Sequence, residues 1–179
     1  MKNKECFYKL VKFPIGWVGI CGSKKGVSHI QLPEKNKQET EALLLKKAPS
    51  AQKTIKGPQW MSKLERKLHN LFSSKNTSLQ DIPIDIDVTP FQRRVYSELR
   101  KVSFGSILTY KDLAIKIKAP QSARAIGMAM GKNPIPLVVP CHRVVSSSKH
   151  SLGGFSAYRG VDLKKQLLII EKNDTLSLC

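Results

Sequence analysis

Ile82-Pro83-Ile84-Asp85-Ile86-Asp87-Val88-Thr89-Pro90-Phe91-Gln92 is where the chain changes its period. From Ile82 to Val88 apolar and polar side chains alternate, as in a strand with one covered face. Pro83 has no N–H to give a ladder, so the strand is expected at a sheet edge. Thr89-Pro90 then supplies an N-cap hydroxyl and a proline suited to a first helical turn. Phe91, Val95, Leu99 and Val102 follow at helical spacing. Strand patterns before this point and helical ones after it predict an α+β chain, divided into residues 1–87 and 88–179.

Upstream, Phe7–Val11, Gly16–Cys21 and Val27–Leu32 read as a three-stranded antiparallel meander, with turn residues at Pro14–Gly16 and Ser23–Gly26. Residues 33–58 are polar and lysine-rich, with a short helix possible around Ala42–Leu45. From Gln59 to Phe72, Trp60, Leu64, Leu68, Leu71 and Phe72 form a helical stripe. Trp17 and Trp60 sit in apolar patterns and read as core, as do Cys6 and Cys21. His69, on the polar side of its helix, and His150, in a polar loop, read as surface.

Downstream, Thr109-Tyr110-Lys111-Asp112 is a capping-box pattern that starts a helix. Ala119-Pro120 ends that helix and a second runs from Gln121 to Met130; two short helices joined tightly suggest a helix-turn-helix. The second is rich in small residues, Ala123, Ala125, Gly127 and Ala129, around the long cation Arg124. A last helix spans 161–171. Glu171 shares the face of Leu167 and Leu168, where a buried carboxylate would need a partner; the other reading is a solvated helix end.

Lys and Arg number 31 against 13 Asp and Glu, a formal charge of +18. Residues 1–88 carry 16 basic and 8 acidic side chains; residues 89–179 carry 15 and 5. A field of this sign favours polyanions, nucleic acid first. No apolar run reaches membrane-spanning length and no signal-peptide core opens the chain, so an intracellular protein of cytoplasm, nucleoid or nucleus is expected. The four cysteines, Cys6, Cys21, Cys141 and Cys179, form no CxxC pair, and a reducing compartment fits them. Cys179, at the terminus, reads as exposed.

The chemistry concentrates in Pro140-Cys141-His142-Arg143-Val144, after the apolar run Ile135–Val139, which reads as a buried strand. Neighbouring cations favour the thiolate, the nucleophilic form. Cys141, His142 and Glu171 have the types needed for nucleophile, base and orienter. Adjacent residues in a strand face opposite ways, so a Cys141–His142 relay needs a turn or an intervening water. These residues alone leave open a hydrolase, an amidotransferase or a group-transfer protein.

Ala123-Arg124-Ala125-Ile126-Gly127, then Asn133-Pro134, then Pro140-Cys141-His142-Arg143-Val144-Val145 resembles the O6-alkylguanine-DNA alkyltransferases. Thr89–Gln92, Gly105–Tyr110 and Leu152–Ser156 support the likeness, which is strong over residues 88–172 and confined to layout and short patches before that. It implies a ribonuclease-H-like N-terminal domain and a mostly helical, winged-helix-like C-terminal domain. It implies direct reversal of O6-alkylguanine, and of O4-alkylthymine, by irreversible single-turnover transfer of the alkyl group from a flipped base to Cys141. By the same resemblance His142 activates Cys141 through water, Glu171 orients His142, Asn133 braces the turns, and Tyr110 protonates the departing guanine and crowds the phosphate. Arg124 is the finger that fills the vacated stack. Ala123 and Gly127 allow close approach of the helix to the minor groove of duplex DNA, and Met130, Pro136, Val144, Phe155 and Ser156 line the pocket.

Phe155 stands where some members have tyrosine, and Ala157–Gly160 is an insert relative to the shortest members. Some members hold zinc through two Cys and two His; Cys6, Cys21 and His29 are candidates here, but Asp85–Val88 occupies the stretch of the fourth ligand, and a tetrahedral site needs four. No metal or other cofactor is expected, and the protein is expected to act as a monomer. The alternative functions are a lesion-recognition protein that binds without transfer and a helix-turn-helix regulator signalled by alkylated Cys141. The first would need a defect beyond the cysteine that such relatives lack; the second would need a further DNA-binding domain.

Overall fold

The computed structural model describes residues 5–148 and 151–172. Three strands, β1 (Cys6–Phe13), β2 (Gly16–Ser23) and β3 (Gly26–Gln31), form the antiparallel meander expected from their alternation. A two-residue strand, β4 (Gln52–Lys53), joins the far edge parallel to β1, giving the order β3-β2-β1-β4. The central strand is buried from Val18 to Ser23, because helices cover both faces of the sheet. One face packs Tyr8 and Cys21 against Leu44 of α1 (Lys37–Lys47), a helix longer than the Ala42–Leu45 core of its pattern. The other packs Val11, Val18 and Ile20 against Trp60, Leu64 and Leu68 of α2 (Gln59–Phe72). Trp60 also donates its indole N–H to Ser23 O at 2.8 Å.

The stretch Ile82–Val88 is not the strand its alternation predicts. It pairs at one place, Val27 opposite Ile84, through Val27 N–H to Pro83 O (2.9 Å) and Asp85 N–H to Val27 O (2.8 Å). Pro83 brings no N–H, so the ladder stops after one bridge, while Ile84, Ile86 and Val88 still pack against the main core. Ile135–Val139 is not a strand either: Leu137 has φ of 74° and the segment folds back on itself as a turn.

Helices dominate after residue 88. Thr89 caps α3 (Pro90–Leu99) in a full capping box with Gln92, and Thr109 does the same for α4 (Tyr110–Lys116) with Asp112. A short parallel pair, β5 (Leu108–Thr109) with β6 (Val144–Val145), precedes α4 and follows the cysteine turn. After α4 come α5 (Ala123–Gly131) and the closing α6 (Gly160–Ile170). One buried cluster runs from Val11 and Ile20 through Val95 and Leu113 to Ile126, Val139 and Leu167. Arg100 reaches back and donates to the carbonyls of Gln80 (2.6 Å) and Ile82 (2.7 Å). No helix among the described residues is long and apolar enough to cross a membrane.

Thr109 fixes the first turn of the helix that opens with Tyr110. Thr109→Ala removes the acceptor for Asp112 N–H and is expected to lower stability by about 1 kcal/mol, read from urea unfolding.

Candidate active site

Cys141 does not sit on a strand. Pro140 ends the preceding turn, and Cys141–Arg143 form one turn of 3-10 helix, closed by Arg143 N–H to Pro140 O at 3.0 Å. That turn removes the geometric objection raised by adjacent strand residues, because Cys141 and His142 no longer alternate across a sheet. Asn133 holds the entry: its Nδ2 donates to Val139 O at 2.8 Å and its Oδ1 accepts from Ile135 N–H at 3.1 Å. These bonds stabilise the turn that carries Leu137 in the left-handed region, a conformation unfavourable for a branched residue. Ile30 N–H, on the sheet, donates to Pro134 O at 2.8 Å and ties the turn to β3.

Glu171 is buried, so the solvated-end reading falls. It follows the last residue of α6 and is 1% exposed. Oε1 lies 2.9 Å from His142 Nε2 and accepts from Arg143 Nη2 at 2.7 Å; Oε2 accepts from Arg143 Nε at 2.8 Å and from Gly105 N–H at 3.3 Å. Arg143 Nη1 continues to Val102 O at 2.6 Å. Burial alone would raise the Glu171 carboxyl, but His142 and Arg143 hold it down at about 2. Burial lowers the His142 pKa against the pull of Glu171, with Arg143 and Lys164 pushing the same way as burial. The imidazole is therefore neutral at pH 7. An ionised carboxylate at Nε2 places the proton there and leaves Nδ1 as the basic nitrogen. Nδ1 is buried and has no hydrogen-bond partner in the structure.

Burial raises the Cys141 thiol pKa; the Asn133 amide, the Lys164 cation and the N–H groups of Cys141 and His142 oppose that rise. A thiol so placed needs a base to become a nucleophile, and His142 is next in sequence. Lys164 is fully buried, donating to Val144 O and Leu152 O at 2.6 Å each. Burial brings it down to about 8, with Cys141 working against the drop.

Sequence reasoning missed Lys164 and the role of Arg143. A signal was present: Lys164, Leu167, Leu168 and Glu171 recur at three, four and seven residues, one helix face holding two charges of opposite sign.

A cavity of about 400 Å³ opens above Cys141, lined by Tyr110, Gly127, Met130, Gly131, Gly154, Phe155 and Ser156. That is within the size range of small-molecule sites. Pro136 lines a smaller cavity of about 140 Å³ that adjoins it. Val144 lines neither; it is buried below, with its carbonyl held by Lys164. Tyr110 is half-buried, and burial followed by Cys141 raises its hydroxyl pKa, so it stays a donor at neutral pH. Gly153 packs against its ring: a Cβ there would lie 3.0 Å from Tyr110 Cε2, and φ of 75° disfavours any other residue. Ala123 and Arg124 are exposed at the start of α5.

Of the zinc candidates, Cys6 and His29 line one cavity with Asp85 and Asp87. Among the described residues no group of three or more His, Cys, Asp or Glu could hold a metal ion. Cys21 lies opposite His29 across β2 and β3, and His29 bonds to Ser28. Ser23 donates its hydroxyl to Asp85, which occupies the stretch of the missing fourth ligand. Cys6 is half-buried, Trp60 is core, and Trp17 is half-buried with the Lys37 ammonium 4.6 Å from its ring centroid. His69 is exposed on α2, with its ring 4.7 Å from that of Phe13. His150 and Cys179 lie outside the described residues.

The family model described as 6-O-methylguanine DNA methyltransferase, DNA binding domain, matches residues 90–173. The chain is 38% identical over 164 residues to a methylated-DNA–protein-cysteine methyltransferase of Sulfolobus acidocaldarius, covering 92% of each chain. It is 49% identical over 108 residues to that of Metallosphaera sedula, covering 60% of this chain and 65% of the relative. Among solved structures, Mycobacterium tuberculosis OGT in complex with DNA has a TM-score of 0.74 at 27% identity, covering 93% of both chains.

Glu171 sets a pH test. Its folded pKa is depressed, so its contribution to stability is full above the unfolded carboxyl value of about 4.3 and is lost as pH falls towards 2. Glu171→Gln leaves buried Arg143 without its counter-charge and is expected to lower stability at pH 7 by about 3–5 kcal/mol. The gap from wild type should shrink between pH 5 and pH 3 in urea titrations.

Proposed function

The chain belongs to the methylated-DNA–protein-cysteine methyltransferase family, and we propose that it repairs duplex DNA by moving the alkyl group from O6 of guanine, or O4 of thymine, irreversibly to Cys141 Sγ. The observation that carries this reading is a buried cysteine at the floor of a cavity, beside a neutral histidine whose far nitrogen rests on an ionised carboxylate. That set makes a thiolate on demand and needs no cofactor for direct displacement.

In the proposed step the Cys141 proton passes through one water to His142 Nδ1. The new imidazolium is stabilised by Glu171 at Nε2. The thiolate attacks the alkyl carbon, the C–S bond forms as the C–O6 bond breaks, and the electron pair leaves with guanine. Tyr110 donates a proton to guanine N3, which makes the base a better leaving group. The product thioether has no leaving group for reversal, so each molecule reacts once. Phe155 and Ser156, with Met130 beneath, are read as walls for the extruded base; Pro136 and Val144 support them from behind.

The base must leave the stack to reach Cys141, at a cost of a few kcal/mol. We assign α4 and α5 to a helix-turn-helix of the winged-helix kind, with α5 in the minor groove and Arg124 in the vacated stack. Two glycines support α5 as the docking face. A Cβ added at Gly127 or Gly131 would meet nothing within 4 Å. A glycine inside a helix costs about 0.5–1 kcal/mol relative to alanine, and here the fold itself gains no packing in return. Small residues at these two positions leave room for a surface outside the protein. Minor-groove readout is degenerate, as suits a protein that must find lesions in any sequence, and the +18 charge supplies affinity through phosphates. Residues 1–87, read as a ribonuclease-H-like domain, carry none of the reacting groups, and the protein is read as a monomer on DNA.

Wild-type protein incubated with a duplex containing one O6-methylguanine should gain one methyl group, mapped to Cys141 by intact and peptide mass. Cys141→Ala should gain none while still binding the duplex; methylated Cys141→Ala would overturn the mechanism. Arg124→Ala should slow repair of the duplex at least tenfold, part of the flipping term, and leave reaction with free O6-benzylguanine unchanged. Equal losses on both substrates would remove Arg124 from flipping.

A further inference from the structure

The outward face of α5 carries two long side chains, and the proposed reading uses only one. At about 100° per residue, Ile126, Ala129 and Met130 form the buried side of α5. Arg124 lies opposite them. Gly131 and Gly127 fall on the edge of that outer face turned to the cavity, which both residues line. Met128 lies beside Arg124 on the outermost line of the helix, about 40° round and one turn along. It is 64% exposed.

A single exposed apolar side chain is ordinary on a protein surface. Met128 differs because of what surrounds it. Gly127 and Gly131, with Ala125 at the far margin, reduce the rest of this face to backbone and one methyl group. Any surface that comes close enough to use those small residues must also meet Met128, which stands out beside them. Its position leaves it no route out of the contact.

We propose that Met128 is a second wedge, entering the minor groove beside Arg124 and packing against the sugars and base edges of the neighbouring step while the nucleotide is out. This rests on the alkyl-transfer reading above. Apolar side chains, methionine among them, are used in minor grooves to part base steps and hold the duplex bent. A thioether suits the task here. It offers no N–H or O–H donor, so it imposes no base preference, and its three rotatable bonds adapt to an irregular groove. Arg124 would fill the hole left by the base; Met128 would keep the adjacent step from closing over it. Met128 touches no reacting atom and acts as a positioning residue.

The experiment compares wild type, Met128→Ala, Met128→Leu and Arg124→Ala in single-turnover transfer from an O6-methylguanine oligonucleotide, once as a duplex and once as a single strand. A duplex carrying 2-aminopurine in the step beside the lesion reports unstacking through its fluorescence. Met128→Ala should react about tenfold more slowly with the duplex, at wild-type rate with the single strand, and with a smaller fluorescence rise on binding. Met128→Leu should recover most of both signals. A Met128→Ala protein that repairs the duplex at wild-type rate, or loses both substrates equally, would overturn the wedge while leaving transfer to Cys141 standing. A wild-type protein that methylates on neither substrate would overturn the transfer reading and the wedge with it.

Discussion

A helix C-terminus is a poor place for a carboxylate, and a buried one is worse. The unpaired carbonyls there already carry partial negative charge, and removing an ionised group from water costs several kcal/mol. Glu171 occupies that place because Arg143 meets it with two parallel N–H bonds. Replacing such a pair with apolar residues often stabilises a fold, so stability alone does not account for its presence. What it supplies is direction. The carboxylate fixes which nitrogen of His142 holds the proton, and Arg143 fixes the carboxylate. Because Arg143 and His142 belong to the same turn as Cys141, one acid at the end of α6 orients the whole turn.

Lys164 serves the other side of that turn. Its ammonium gathers the carbonyls of Val144 and Leu152, joining β6 to the loop that leads to Phe155 and Ser156. The site is thus framed by two charges, an acid just past the end of α6 beneath the imidazole and a cation within α6 beneath the pocket wall. The polar network is buried and almost fully satisfied, which is the condition under which such networks rigidify a core. Within that network the atom left without a partner is His142 Nδ1, the one the proposed proton transfer uses.

Much of this was legible in the sequence, and the failures have physical reasons. The meander, α2 and both capping boxes follow from local pattern, because period and cap chemistry act within a few residues. Ile82–Val88 alternates as a strand should, but pairing needs a neighbour's ladder, and Pro83 leaves one bridge. Ile135–Val139 is apolar enough for a strand; it is a turn because Asn133 holds it from both sides, a contact invisible to periodicity. Cys141, His142 and Glu171 could be picked out by chemistry and resemblance. The burial of Glu171 was undecided from spacing, since its partner Arg143 lies 28 positions away. Lys164 escapes pattern reasoning because lysine is almost never fully buried, and only its carbonyl partners make burial tolerable.

The hydrogen bond from Ile30 to Pro134 crosses from the sheet to the turn that Asn133 braces. It means that the two halves of the chain are not separable in a genetic sense. A backbone hydrogen bond outlasts most side-chain changes, but a substitution in β3 that displaces the Ile30 N–H, as proline would by removing it, alters no reacting group and still moves the platform that carries Cys141. Alleles scored by survival under alkylating agents would therefore map to the sheet as well as to the pocket. A survey of tolerated variation would see the N-terminal half as functional ground rather than as a passive companion.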